Sequence, residues 1–226
     1  MNVLVLAAHP DDEVLGCGGN IARLSAEGNI VNIAILGEGI SSRYGKREQA
    51  DSKLIALLQG KSRQVAELLG ARELVMLGLP DNRFDGVSLL DIAKEIEVLI
   101  DRFQPEAVYT QHGGDLNIDH QRLFQATLTA TRPVSGIAVK NVYAYPVASS
   151  TEWAFQSFSP QFRPNVFVDI SATLEKKIKA MQGYESEARP FPHPRSPEAL
   201  RAAALSWGSV AALPAAEPFE LIRSIR

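Results

Sequence analysis

The chain has 226 residues, 46% of them hydrophobic and 22% charged, with a formal net charge of −3, a composition that suits a globular protein and excludes a disordered one. No Lys/Arg block points to nucleic acid, and no cationic amphipathic helix points to a membrane surface. The one cysteine, Cys17, excludes an internal disulfide scaffold and fits a reducing compartment.

In chain order, the opening Val3-Leu4-Val5-Leu6-Ala7-Ala8 is too short to span a bilayer, lacks a positive segment before it, and breaks at His9-Pro10. It predicts a buried strand, and the missing targeting signal predicts a cytoplasmic protein. Further strands are predicted at residues 30–36, 73–79, 107–111 and 141–147, most of them apolar at nearly every position, as strands covered on both faces are. Helices are predicted between them. One over 12–27 ends at Gly28, and one over 47–69 ends at Gly70. One over 89–103 has Leu90, Ala93, Ile96, Leu99 and Ile100 on one stripe and stops before Pro105. One over 120–131 stops before Pro133. This alternation predicts an α/β fold, a doubly wound, mostly parallel sheet with helices on both faces.

From about residue 151 the pattern changes. An aromatic stretch, Trp153 to Phe158, precedes a strand at 166–170 and a Lys/Glu-rich helix at 174–187. The run Arg189-Pro190-Phe191-Pro192-His193-Pro194-Arg195 predicts an ordered loop. A helix at 197–206 and a strand at 219–225 close the chain. No repeat or linker interrupts it, so one domain is expected over 1–226, with a core sheet in 1–150 and a substrate-side extension in 151–226.

Ligands of open α/β sheets bind at the carboxyl ends of the strands, and the first strand runs directly into His9-Pro10-Asp11-Asp12-Glu13. Helix capping accounts for one acid and the proline, but three consecutive acids need a compensating cation. Gly16-Cys17-Gly18-Gly19 raises a dinucleotide-binding alternative. Its glycines come a helical turn too late, and the acids in the strand–helix turn would repel a phosphate. Close packing of the helix on the sheet explains the glycines better.

A second cluster, Gln111-His112-Gly113-Gly114-Asp115-Leu116-Asn117-Ile118-Asp119-His120, follows the fourth strand. Three of the four histidines lie in these two segments. His9, Asp12 and His120 could supply two nitrogens and an oxygen to a metal with an open coordination position, the donor set of catalytic zinc and equally of non-haem iron. Asp11 would remain unligated, placed to take a proton from water.

At these residues the chain resembles the zinc-dependent N-acetylglucosaminyl deacetylases of the PIG-L or LmbE-like family. The resemblance rests on Ala8-His9-Pro10-Asp11-Asp12-Glu13 and Asp119-His120. It extends to Gly18-Gly19, Leu79-Pro80-Asp81-Asn82-Arg83 and the late Pro-His-Pro-Arg run. It implies a Rossmann-like enzyme that removes acetyl from an N-acetylated sugar or glycoconjugate, with Zn2+ (or Fe2+ or another divalent ion) on His9, Asp12 and His120 and with Asp11 as general base. Some relatives of the family cut other amides. Oligomers are common in it, although this sequence sets no subunit number.

One position departs from the pattern. Many members carry a histidine three residues before the last ligand, where this chain has Asn117. An amide can donate to an oxyanion but cannot protonate a leaving amine. His193, between prolines, is the expected replacement and His112 the second candidate, with Asp119 orienting whichever serves. Arg43, Asp81 and Asn82, all after strand ends, are expected to bind substrate. Trp153, Phe155 and Phe158 are expected mainly in the core, with a subunit interface or an apolar wall for a sugar ring or aglycone as the other readings.

Overall fold

Strand β1 (Asn2–Ala7) sends alternate side chains to opposite faces, and both faces are buried. Val3, Val5 and Ala7 join one apolar cluster, while Leu4, Leu6 and the following Ala8 join another. The computed structural model describes residues 1–134, 136 and 139–226. In it, β1 lies near the middle of a seven-stranded sheet ordered β3-β2-β1-β4-β5-β7-β6. The other strands are β2 (Ile30–Gly37), β3 (Glu73–Leu79), β4 (Ala107–Gln111), β5 (Asn141–Tyr145), β6 (Val166–Asp169) and β7 (Ala216–Ser224). Strands β1 to β5 run parallel, and β7 is antiparallel to both β5 and β6.

The helices divide between the two faces. Helices α1 (Asp12–Ala26), α2 (Ser52–Leu69), α5 (Leu174–Gly183) and α6 (Pro197–Val210) cover one face with Ile21, Leu58, Val65, Met181 and Leu200. Helices α3 (Leu89–Phe103) and α4 (Ile118–Ala130) cover the other with Ile92, Ile96, Leu99 and Leu123. The expected α/β architecture is therefore the observed one. Strand order reverses where β1 pairs with β4, Val5 opposite Tyr109. That reversal opens the crevice in which such sheets hold ligands, between the two sequence clusters.

Several boundaries differ from expectation, among them that the helix expected over 197–206 runs on to Val210 and the strand expected over 141–147 ends at Tyr145. The second helix begins later, at Ser52, because Asp51 caps it by accepting the Lys53 N–H (2.8 Å). Residues 47–49 form a separate short turn, held by a two-armed ion pair from Arg47 to Glu38 at 2.8 and 2.9 Å. The helix expected to reach 187 stops at Gly183, and the fully buried Tyr184 turns to donate its hydroxyl to Glu13 (2.6 Å). The last strand starts three residues early, at Ala216. No helix among the described residues is long and apolar enough to cross a membrane.

The glycines of α1 serve packing. A Cβ on Gly16 would lie 2.0 Å from the ring of Tyr145, which is itself fixed by its hydroxyl bond to the Leu6 carbonyl (2.6 Å). Gly16→Ala is therefore expected to destabilise the protein by about 3 kcal/mol, toward the upper end for an overpacked core. Chemical denaturation measures this, and a loss near zero would mean that Tyr145 yields easily.

Candidate active site

The turn after β1 is under strain. Asp11 adopts φ 106°, a left-handed conformation that non-glycine residues rarely hold. It is fixed from three sides. Its N–H donates to Glu13 Oε2 (3.1 Å), its carbonyl accepts the N–H groups of Val14 and Leu15 (3.0 and 2.9 Å), and its carboxylate accepts from Arg195 Nη1 (2.7 Å). Burial, with Asp12, Glu187 and Glu13 nearby, pushes the Asp11 carboxyl well above the usual carboxylate range against the pull of Arg195.

The next residue, Asp12, opens α1, and its Oδ2 is where the two clusters converge. That oxygen accepts the His9 N–H (2.9 Å) and the Gln111 side-chain amide (3.0 Å). It lies 3.3 Å from His9 Nδ1 and 3.2 Å from His120 Nε2. Donor atoms of His9, Asp12 and His120 all fall within 4.8 Å of one another. Burial alone would raise the Asp12 pKa, but the imidazoles of His120 and His9 hold it well below the usual range. Burial favours a neutral His120, yet the Asp12 and Asp115 carboxylates push its pKa up to about 9. The cluster is starved of positive charge.

His120 makes the case for a metal. Among the described residues neither of its buried ring nitrogens has a hydrogen-bond partner, although each stands 3.2 Å from a carboxylate oxygen. Buried polar atoms are nearly always satisfied, and an orphaned imidazole nitrogen beside a second imidazole and a carboxylate suits a metal ligand. The residues fit the ion. A second donor set, His9, Asp81 and Asp119, fits less well because its oxygens are already used. Asp119 accepts the N–H groups of Asn82 and Phe84 (2.6 and 2.9 Å), and Asp81 accepts the N–H and hydroxyl of Ser42 (3.0 and 2.6 Å).

Carboxylates also stand behind both histidines. Asp119 Oδ2 meets His9 Nε2 at 2.9 Å, leaving Nδ1 turned toward Asp12. Asp115 lies behind His120 Nδ1 and accepts the hydroxyls of Ser150 and Thr151. Such partners fix a ligand's tautomer and ring orientation. Asp119 was expected to orient a proton-donating histidine, and it meets His9 instead.

A pocket of about 610 Å³ opens over this centre, with Asp11, Arg43, Asn82, Asn117, Trp153 and Arg195 in its lining. Arg195 spans Asp11 and Ser149 (Nε to Oγ, 2.8 Å), and Arg43 reaches Glu187 (2.6 Å). Asn117 caps α4 by accepting the Asp119 N–H (2.8 Å) and donates to Asn82 Oδ1 (3.0 Å). His193 lies outside the lining. Its Nδ1 accepts the Arg195 N–H (3.1 Å), and its ring packs edge-on to Trp153. Partial burial, with Arg195 and Arg189 nearby, lowers its pKa.

Several expectations need correction. His112 is remote from the pocket, its two nitrogens engaged by Glu220 (3.0 Å) and the Pro160 carbonyl (2.9 Å), so it is no deputy for the missing histidine. Asp81 does line the pocket, largely buried, and its oxygens already accept from Ser42 and the Asn82 side-chain amide. The aromatic stretch is not core. Phe155 is 80% exposed, Phe158 is 44% exposed and Trp153, at 40%, forms part of the pocket wall. Sequence reasoning missed Arg195, Asp115 and Gln111, although Arg195 sits in the noted proline run and the other two in the second cluster.

The sequence pattern of a protein family described as GlcNAc-PI de-N-acetylase, PIG-L, matches residues 4–131. The chain belongs to the PIG-L family. That family comprises metal-dependent de-N-acetylases, and this member is an enzyme of that class. The chain is 29% identical over 190 residues to the uncharacterized deacetylase YaiS of Escherichia coli, covering 81% of this chain and 90% of the relative. It is 26% identical over 192 residues to a probable N-acetyl-alpha-D-glucosaminyl L-malate deacetylase 2 of Bacillus cereus, covering 82% and 83%. Among solved structures, GalB, the 4-carboxy-2-hydroxymuconate hydratase of Pseudomonas putida, superposes with a TM-score of 0.77 at 22% identity over 100% of this chain and 98% of that one. The fold thus also serves a protein named for a different chemistry.

The matched stretch contains His9, Asp11, Asp12, Asp115 and His120 but stops short of Arg195. Replacing the carboxylate behind His120 tests the centre directly. Asp115→Asn is expected to weaken divalent-metal retention about 10–100-fold, measured by competition with a chromogenic chelator. Unchanged retention would remove Asp115 from any supporting role.

Proposed function

We propose that the protein is a zinc-dependent hydrolase that removes the acetyl group from an N-acetylated amino sugar of the GlcNAc type, or its conjugate, giving a free amine and acetate. The observation that carries this reading is the orphaned His120 imidazole beside Asp12 and His9, with an unligated carboxyl, Asp11, next to them in the same pocket. The substrate class is supported by the Bacillus cereus relative, named for an N-acetylglucosaminyl conjugate.

His9, Asp12 and His120 would hold the zinc ion, which would supply Lewis acidity at the amide carbonyl and lower the pKa of a water toward neutrality. The chain's own groups do the rest. Asp11, whose carboxyl pKa is raised by burial above the usual carboxylate range, accepts the proton of the attacking water and later delivers it to the leaving amine. Arg195 fixes that carboxylate in the pocket through a charge-assisted bond. Asn117, held by Asn82, has an amide to donate toward the developing oxyanion. Arg43 and Asn82 at the rim order the sugar hydroxyls, and Trp153 offers its ring as a wall for the sugar. His193, behind the pocket lining, supports it by packing against Trp153 and accepting the Arg195 backbone N–H.

Asp11→Asn is expected to keep the metal and to lose at least about 10²-fold in turnover, the low end for a general base. His120→Ala is expected to lose both metal and turnover. Metal content per chain and acetate release, assayed over N-acetyl sugars and N-acylated thiol conjugates, check both. Acetate from the thiol conjugates alone would replace the sugar with another amide. Full activity in either variant would overturn the assigned roles.

A further inference from the structure

The turn that carries Asp11 and Asp12 runs into α1, and three side chains from the C-terminal part of the chain reach that helix's backbone. Lys177 of α5 donates from Nζ to the Leu15 carbonyl (2.8 Å) and to Glu217 Oε1 (2.6 Å). Glu217 of β7 accepts the Gly19 N–H at Oε1 (2.8 Å) and the Asn20 N–H at Oε2 (2.7 Å). Thr173, just before α5, donates its hydroxyl to the Gly19 carbonyl (2.9 Å). The pair is deeply buried, Lys177 at 5% and Glu217 at 2% exposure.

In a regular α-helix the Gly19 N–H closes onto the Leu15 carbonyl. Here the ammonium holds that carbonyl, the carboxylate holds that N–H, and the two side chains bond each other. One rung of the helix ladder is therefore gripped at both its donor and its acceptor by an ion pair from elsewhere in the fold. Glycines let the neighbouring elements pack closely: a Cβ on Gly19 would lie 2.8 Å from Ile170, which follows β6, and one on Gly18 would meet the Lys177 side chain at 3.4 Å.

A buried ion pair contributes little net stability compared with apolar residues of the same shape, so stability is a poor reason for this arrangement. Its position suggests another. The Leu15 N–H closes on the Asp11 carbonyl (2.9 Å), while the Leu15 carbonyl is held by Lys177. The turn bearing Asp11 and Asp12 is thus fixed at its far end by β7 and α5, elements beyond the 4–131 family match. We infer that Lys177, Glu217 and Thr173 are positioning residues that set the placement of the Asp11-Asp12 turn relative to His9 and His120. This inference rests on the function proposed above.

The test uses Glu217→Gln in the full-length chain, with Thr173→Val as a milder variant should the first not fold. Three readouts are taken: amide exchange at Val14 and Leu15, divalent-metal affinity by chelator competition, and kcat and KM for acetate release. Positioning predicts faster exchange at those two amides, metal held about tenfold more weakly, and a lower kcat at unchanged KM. Thr173→Val should shift each in the same direction by less. A folded variant with a lower melting temperature but parental exchange at Val14 and Leu15 and parental metal affinity would overturn the inference, leaving the residues a purely structural role. If the parent chain itself binds no metal, the proposed function fails, and the exchange data alone decide the positioning role.

Discussion

The Asp12 carboxylate, ionised and removed from water, organises the centre of this molecule. An isolated buried charge costs several kcal/mol unless it is paired and hydrogen-bonded. Asp12 draws on two strand ends a hundred residues apart in sequence: hydrogen-bond donors from the His9 backbone and the Gln111 amide, and the nearby imidazoles of His9 and His120 at 3.3 and 3.2 Å. These donors still leave His120 unsatisfied. Further carboxylates, Asp115 and Asp119, stand behind the two imidazoles and add negative charge. A cluster so rich in acids and so poor in cations is arranged to receive a divalent ion.

The fold was readable because its elements obey simple periodicities. Continuous apolar runs such as Val3–Ala8 are what a strand covered on both faces requires, and the observed split of its side chains between two apolar clusters follows from the strand's two-residue repeat. The late switch to antiparallel strands was less legible, because β6 and β7 are short or carry Glu and Pro, residues that weaken a strand signal. Helix ends were misplaced where a side chain far away in sequence decides them, as Glu13 does for Tyr184.

The site divided along the same line. Local motifs revealed His9, Asp11, Asp12 and His120 as a candidate set, because acids stacked at a strand end are conspicuous in sequence. Arg195 was invisible as a site residue. Nothing in a proline-rich run tells that its arginine, rather than its histidine, will meet Asp11 across 184 residues. Composition misled in the aromatic stretch as well. Large apolar side chains are usually buried, yet Phe155 projects into solvent and Trp153 borders the pocket.

The two parts of the pocket have separate origins along the polypeptide. His9, Asp12 and His120, the side chains that could hold a metal, all lie before residue 131, whereas the guanidinium that faces Asp11 and the loop that presents it come from the last quarter of the chain. Because Arg195 bonds the Asp11 carboxylate, a change in the later segment reaches the earlier one directly. The two stretches of polypeptide are therefore coupled by a single charge-assisted bond and cannot vary independently of one another.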